Sequence, residues 1–371
     1  MPAPPSPQPL PLQGGGACFR LPRPYAFTLL LTLLVGLILA GCGAKVHRQQ
    51  SYVFGTLVEI TVYGEDEAKA RRVTDQVLKD FDELHHTLHP WEPGTLERLN
   101  GILALATPQA PARASMPPGV IPILQDAQRL SALSEGLFNP AIGNLVRLWG
   151  FHSDTFEPRL PDPAAVARLV DARPGMADLQ FDGLTLIGHN PAVRIDLGGY
   201  AKGYALDLAA AYLRSQGVKN ALVNIGGNVM ALGDKGGRPW KVGIQHPRRA
   251  GALAVLELHD GEAIGTSGDY QRFFEYQGKR YCHLIDPRTG WPADQAQAVT
   301  VIAHGPHAGT LSDVASKPLF VAGPADWRRL AAKMGVAEVL FVAADGQVSV
   351  TRALNRRLAW EKPVPQIRVV E

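Results

Sequence analysis

The stretch VRIDLGGYAKGYALDLAAAYLRSQGVKNALVNIGGN, Val193 to Asn228, constrains this chain more than any other. It predicts a strand ending in Asp196, a glycine pair, a helix carrying Lys202, and a second strand that runs into Gly226-Gly227-Asn228. A carboxylate delivered to a glycine-rich helix start suits phosphate, a metal ion, or both. Exposed N–H groups and the helix dipole favour anions there, and glycine lets a ligand approach the backbone. The stretch lacks the spacing of GxGxxG and the GK[ST] of a P-loop. An N-capping Asp, a tight turn and a solvated Lys would give the same letters, so the residues by themselves leave both readings open.

The surrounding composition is that of an ordinary globular protein: 371 residues, 46% hydrophobic, 19% charged, net charge +3. That is enough chain for one large domain or two ordinary ones. The charge is too mild for a nucleic-acid partner, and no arginine-rich arm or zinc-finger spacing accompanies it. The N-terminus is set apart. A Pro- and Gly-rich segment carrying Arg20 and Arg23 precedes the apolar run Phe27 to Ala40, which ends at Gly41-Cys42. A short apolar run after basic residues, closed by small ones, reads as a secretory signal rather than a spanning helix. Leu39-Ala40-Gly41-Cys42 resembles the lipobox of bacterial lipoproteins. It implies a signal peptide over 1–41, acylation of Cys42, a short polar tether over 42–51 and a folded domain over 52–371. Of three cysteines only Cys282 would then remain free, so the fold relies on its core and not on an internal disulfide.

Along the domain, YVFGTLVEITVYG (Tyr52 to Gly64) predicts a strand with Val58, Ile60 and Val62 on one face. Asp66 opens a helix in which Val73, Val77, Phe81, Leu84 and Leu88 recur at helical steps. LHPWEPGTLERLN reads as a polar loop, and a second amphipathic helix covers about 120–135. Asp162-Pro163 is a helix start, Asp182-Gly183 a hairpin turn, and FFEYQGKRYCHLID a hairpin with His283 on a strand. After Gly309 come a helix, the segment LFVAG, and a further helix from Pro324. Strands and helices mix without strict βαβ alternation, which predicts a mixed α/β (α+β) fold with substantial antiparallel sheet.

Four patches carry candidate chemistry. Asp196, Gly198, Gly199 and Lys202 form the first. In the second, His283 is placed for general-base work beside the sharp turn Asp286 to Gly290, with Thr266 and Ser267 offering hydroxyls. A hydrogen-bonded sheet histidine is the alternative. In the third, GTLSDVASKPLF, Asp313 shares a helix face with Ser316 and Lys317. An Asp and a hydroxyl so placed could complete a hard-cation site; an Asp and a Lys could simply pair. The fourth gathers Phe54-Gly55-Thr56, His89-Pro90-Trp91 and Leu137-Phe138-Asn139, whose aromatics suit a planar ligand or the core.

In order, FGT, WEPGTLERLN, GLFNPAIGNLVRLWGF, IDLGGYAKGYALD, LVNIGGNV, GTSGDY, HLIDPRTGWP and SDVASKPLFVAG resemble the FAD:protein FMN transferases, the ApbE family, over the whole domain. The resemblance implies an ApbE-like fold with a helical lobe, an antiparallel sheet and an FAD site between them. It also implies a lipid-anchored enzyme on the periplasmic face of a bacterial membrane, the inner one by preference. Such an enzyme uses FAD and Mg²⁺ to move FMN onto a Thr or Ser hydroxyl of a membrane redox subunit, releasing AMP. By resemblance, Phe54, Trp91, Leu137, Phe138, Asn139, Asp196, Lys202 and Ala293 contact FAD. Gly199 (through its carbonyl), Asp313 and Ser316 hold the metal, and His283 with Asp313 serves catalysis. Lys317 stands where the family most often has a metal-binding Thr, Asn139 where Asp is common, and Phe54 where Met is common. Two other activities fit the same residues: FAD binding without transfer, and FAD hydrolysis to FMN and AMP.

Overall fold

The alternation of Val58, Ile60 and Val62, each essentially excluded from solvent, is the seed of the central sheet. The computed structural model describes residues 45–107, 109–153, 155–364 and 366–371, so the expected signal segment and Cys42 lie outside the described residues. Nine strands form the main sheet: β1 (Val46–Val53), β2 (Thr56–Tyr63), β3 (Asn220–Ile225), β4 (Asn228–Leu232), β5 (Glu262–Gly268), β6 (Ala296–His304), β7 (Glu338–Ala343), β8 (Val348–Thr351) and β9 (Ile367–Val370). Each lies beside its predecessor in that order, antiparallel throughout except for the parallel pair β8–β9.

Both faces of this sheet are covered. In β4, Met230 and Leu232 join the core under the helices. Val229 and Ala231 point the other way, into a core shared with a three-stranded sheet of Trp240–Gln245, Ala252–Leu258 and Leu358–Trp360. The period-two alternation sends successive side chains to opposite faces, so a strand buried on both sides reads as a continuous apolar run.

The helical layer contains α1 (Glu67–Leu88), α2 (Thr95–Leu103), α3 (Val120–Leu133), α4 (Gly143–Leu148), α5 (Pro163–Asp171), α6 (Ala201–Ser215) and α7 (Ala308–Lys333). Asp66 caps α1 as expected, accepting the Lys69 N–H at 2.9 Å, and Val73, Val77, Phe81 and Leu88 are buried. Asp162 caps α5 in the same way. The helix α6 crosses α7 glycine to glycine. A Cβ on Gly203 would lie 2.4 Å from the Gly309 carbonyl, and one on Gly309 would lie 2.5 Å from the Gly203 carbonyl. Lys45–Glu371 is one compact unit.

Several expectations are corrected. The polar segment expected as tether is the edge strand β1 from Val46 onward. The single strand over Tyr52–Gly64 is a hairpin whose turn, Phe54-Gly55, has positive φ at both positions (56° and 67°). WEPGTLERLN is not wholly loop, since α2 begins at Thr95. The residues before Asp196 form no strand; they make a single isolated bridge, Ile142 to Arg194, within a set of backbone hydrogen bonds to 140–143. His283 lies just beyond the hairpin strand that ends at Cys282. LFVAG continues α7 through Pro318, and the break comes at Gly323, with φ 71°.

Candidate functional site

Three backbone features bring the predicted residues together. The turn Gly226-Gly227 packs on Thr56, where a Gly226 Cβ would meet Oγ1 at 2.6 Å, and Asn228 Oδ1 accepts the Thr266 N–H. The Arg194–Asp196 segment pairs with 140–143, where Asp196 N–H donates to the Pro140 carbonyl. Close approach of α6 to α7 puts the Gly203 N–H 2.9 Å from Asp313 Oδ2.

At that crossing Asp313 is 1% exposed. Its other oxygen, Oδ1, accepts from Lys317 Nζ at 2.5 Å, and Nζ also donates to the Asp313 carbonyl at 2.8 Å. Burial opposes ionisation of Asp313, yet the Lys317 and Lys202 ammoniums and the hydrogen bonds from Lys317 Nζ and the Gly203 N–H outweigh it and hold its carboxyl below the usual carboxylate range. Burial pulls the Lys317 ammonium down, and Asp313 opposes that shift. The pair is an ammonium against a carboxylate. The Lys317 stem runs over Gly199, where a Cβ would sit 2.9 Å from Cε and 3.0 Å from Cδ.

This arrangement answers whether the donors fit a divalent cation. Lys317 has taken Asp313 Oδ1, and Gly203 has taken Oδ2. The Ser316 hydroxyl, expected as a ligand, turns to Ser267 Oγ (2.7 Å) and donates to its own helix at the Asp313 carbonyl. An ammonium is a donor and cannot ligate a cation. With the Lys317 stem over Gly199 and its ammonium on Asp313, the residues present do not fit Mg²⁺ between the two.

His283 sits in a field of cations. Its backbone N–H and Nδ1 both face the Arg272 carbonyl, at 3.1 and 3.2 Å. A carbonyl only accepts, so Nδ1 carries the proton and Nε2 keeps its lone pair. Burial, with the charges of Arg272, Lys202 and Lys317, holds the imidazole down at about 3, so it is neutral at ordinary pH. Burial pushes Asp196 up, against the Gly198 N–H bound to its Oδ1 at 2.8 Å and the charges of Arg272, His89 and Lys202. Lys202 donates to the Gly198 carbonyl at 3.3 Å. Asp196, Lys202, His283, Asp313 and Lys317 are therefore one electrostatic cluster.

The aromatic patch forms an adjoining wall. Phe54 contacts Phe81 and His85 (centroids 5.9 and 5.5 Å apart), and His85 contacts His89 at 5.0 Å. The Arg194 guanidinium lies 4.5 Å over the Trp91 ring and donates to the Pro90 carbonyl. Phe138 faces Gly199 and is buried, and Leu137 packs beside it against the core. Two expected contacts are already committed within the fold. Asn139 bridges the Pro174 carbonyl and the Ala141 N–H, and the Ala293 N–H donates to the Leu284 carbonyl.

Arg272, Arg194 and His85 went unpredicted. For Arg272 a signal existed: the Gln277-Gly278 turn sets a register of Phe273 against Cys282, which places Arg272 opposite His283 one step further on.

Known proteins resemble this chain over most of its length. The ApbE family matches residues 54–341. An FAD:protein FMN transferase of Rhodobacter capsulatus is 43% identical over 343 residues, covering 91% of this chain and 64% of its own length. One from Klebsiella pneumoniae is 36% identical over 264 residues, 70% of this chain and 78% of its own. The structure of the ApbE protein of Thermotoga maritima superposes with a TM-score of 0.76 at 28% identity, covering 84% of this chain and 99% of that one. With the match spanning most of the chain, and the Asp196, His283 and Asp313 segments meeting in one cluster, the chain belongs to the ApbE family.

Proposed function

We propose that this protein transfers the FMN half of FAD to a Ser or Thr hydroxyl of an acceptor protein and releases AMP. The observation that carries the reading is His283: a neutral imidazole, its tautomer fixed by Arg272, lying among three cations suited to a pyrophosphate. The acceptor oxygen attacks the flavin-side phosphorus and forms the new phosphoester bond. The bond from that phosphorus to the bridging oxygen breaks, and AMP leaves with the bridging oxygen. The hydroxyl proton passes to His283 Nε2. Negative charge arriving on the pyrophosphate offsets the cations that depress the imidazole, which raises its basicity when FAD is bound. Lys202 and the backbone at Gly198-Gly199 position the phosphates, and the Phe54–Trp91 wall receives a ring system.

The acceptor is proposed to be a subunit of a membrane redox complex. The protein is proposed to be tethered through Cys42 to the periplasmic face of the inner membrane. Incubation with FAD and an acceptor subunit carrying a target threonine tests the activity: flavin fluorescence should appear on the acceptor band with equimolar AMP. An acceptor without flavin, alongside an active control enzyme, would overturn the reading.

A further inference from the structure

We propose that the Lys317 ammonium is the built-in cation of this site, neutralising charge on the FAD pyrophosphate so that transfer proceeds without a divalent ion. The inference rests on the transfer reading above and deepens it. Its first support is position. Nζ is bonded to one Asp313 carboxylate oxygen, and the stem lies against Gly199, so the one side chain spans both residues from which a metal would be held.

The second support is the surroundings, which match an ammonium and not a metal ion. A divalent ion there would meet the Lys317 ammonium already on Asp313 Oδ1, while the second carboxylate oxygen binds the Gly203 N–H and the Ser316 hydroxyl is paired with Ser267. The bond to Gly203 lies at the glycine crossing of α6 and α7, where neither backbone leaves room for a Cβ. The third support is orientation. Asp313 accepts from Nζ at two oxygens, which leaves one of the three ammonium N–H bonds for a ligand. The Lys317 side chain keeps 15% exposure while that of Asp313 keeps 2%, so Lys317 is the member of the pair a ligand can reach.

An ammonium held this way does what a metal would do electrostatically for one charge. It stands preorganised in a partly dry site, where charge developing on the phosphoryl oxygens is stabilised most. Lys202 and Arg272, both close enough to act on His283, supply the remaining positive charge.

The experiment measures flavin transfer to the acceptor subunit by the native full chain, Lys317→Thr and Lys317→Met, each in excess EDTA and in excess Mg²⁺. FAD affinity is followed by fluorescence, and Mn²⁺ binding to the FAD-loaded protein by calorimetry. The native chain should transfer in EDTA within about twofold of its rate in Mg²⁺. It should show no Mn²⁺ binding at this site. Lys317→Met should lose about 100-fold or more in kcat, with FAD still bound. Lys317→Thr should transfer only with Mg²⁺ and take up one Mn²⁺. Native transfer that stops in EDTA and returns with Mg²⁺ overturns the inference and leaves the transfer reading intact. A native chain that binds FAD without transfer, while Lys317→Thr transfers with Mg²⁺, overturns the inference and makes this protein an FAD carrier. Absence of FAD binding by the native chain removes the site reading, and the inference with it.

Discussion

The two halves of the site are built by opposite means. At the α6–α7 crossing, backbone touches backbone: Gly203 and Gly309 leave no room for a Cβ, and Asp313 is held at both oxygens. Along the wall from Phe54 through His85 and His89, and at Trp91, the contacts are ring to ring or cation to ring, at 4.5 to 5.9 Å. The contrast follows from the forces each half uses. Charge stabilisation depends on fixed donors and acceptors at set distances. Dispersion is spread over many weak contacts, so an aromatic wall can shift without losing its function. In the proposed function, charge control falls to the rigid half and accommodation of a planar ligand to the other.

Four substitutions break or sharpen that contrast. The largest effect is expected for Asp313→Ala, which strands the buried Lys317 ammonium; removing one partner of a buried pair costs about 3–5 kcal/mol. Denaturant unfolding reads this directly, and flavin transfer should be lost with it.

His283→Asn comes next, with a fall in kcat of about 10²–10⁴ and FAD affinity little changed. The same variant has a pH signature. The folded imidazole is held at about 3 while the unfolded one titrates at its ordinary value of 6.5. The unfolded state therefore binds the extra proton as pH falls from 6.5 toward 3, and the native protein should lose stability across that window. His283→Asn should flatten the decline in a series of thermal melts; superimposable pH curves for the two proteins would contradict the assignment.

Gly203→Ala should follow, destabilising by about 1–3 kcal/mol through overpacking, with damage to transfer as Asp313 is displaced. Trp91→Ala should leave unfolding nearly unchanged but weaken FAD binding about tenfold. If Trp91→Ala instead cost as much stability as Gly203→Ala, the wall would be as rigid as the crossing and the contrast would fail.

Much of the frame was legible in the sequence because it rests on local physics. Asp66 before an apolar helical pattern predicts α1 and its cap, and both are present. The alternation in β2 predicts its buried face, and Asp182-Gly183 predicts its turn. The failures have equally local causes. Val46–Val53 is polar because it is an edge strand with little face to bury, so it read as tether. The segment LFVAG reads as separate from the helix before it, since proline disfavours helix in the residue before it and Pro318 precedes that segment. Packing against the sheet keeps α7 helical there, with Pro318, Leu319 and Phe320 buried.

The sequence by itself determined which residues the site would draw on. Asp196, Lys202, His283 and Asp313 are the residues proposed to carry the chemistry, and the glycines beside them announce close approach. Only the tertiary structure decided what those residues do to one another. The choice between Ser316 and Lys317 beside Asp313 could not be read from spacing, because three- and four-residue steps share a helix face. It was settled by Ser267 across the sheet, which takes the serine, and by Gly199, whose missing Cβ gives the lysine stem its path. Those partners lie far apart in the chain. Their effect on Asp313 comes from burial and charge at short range, and both exist only once the chain has folded.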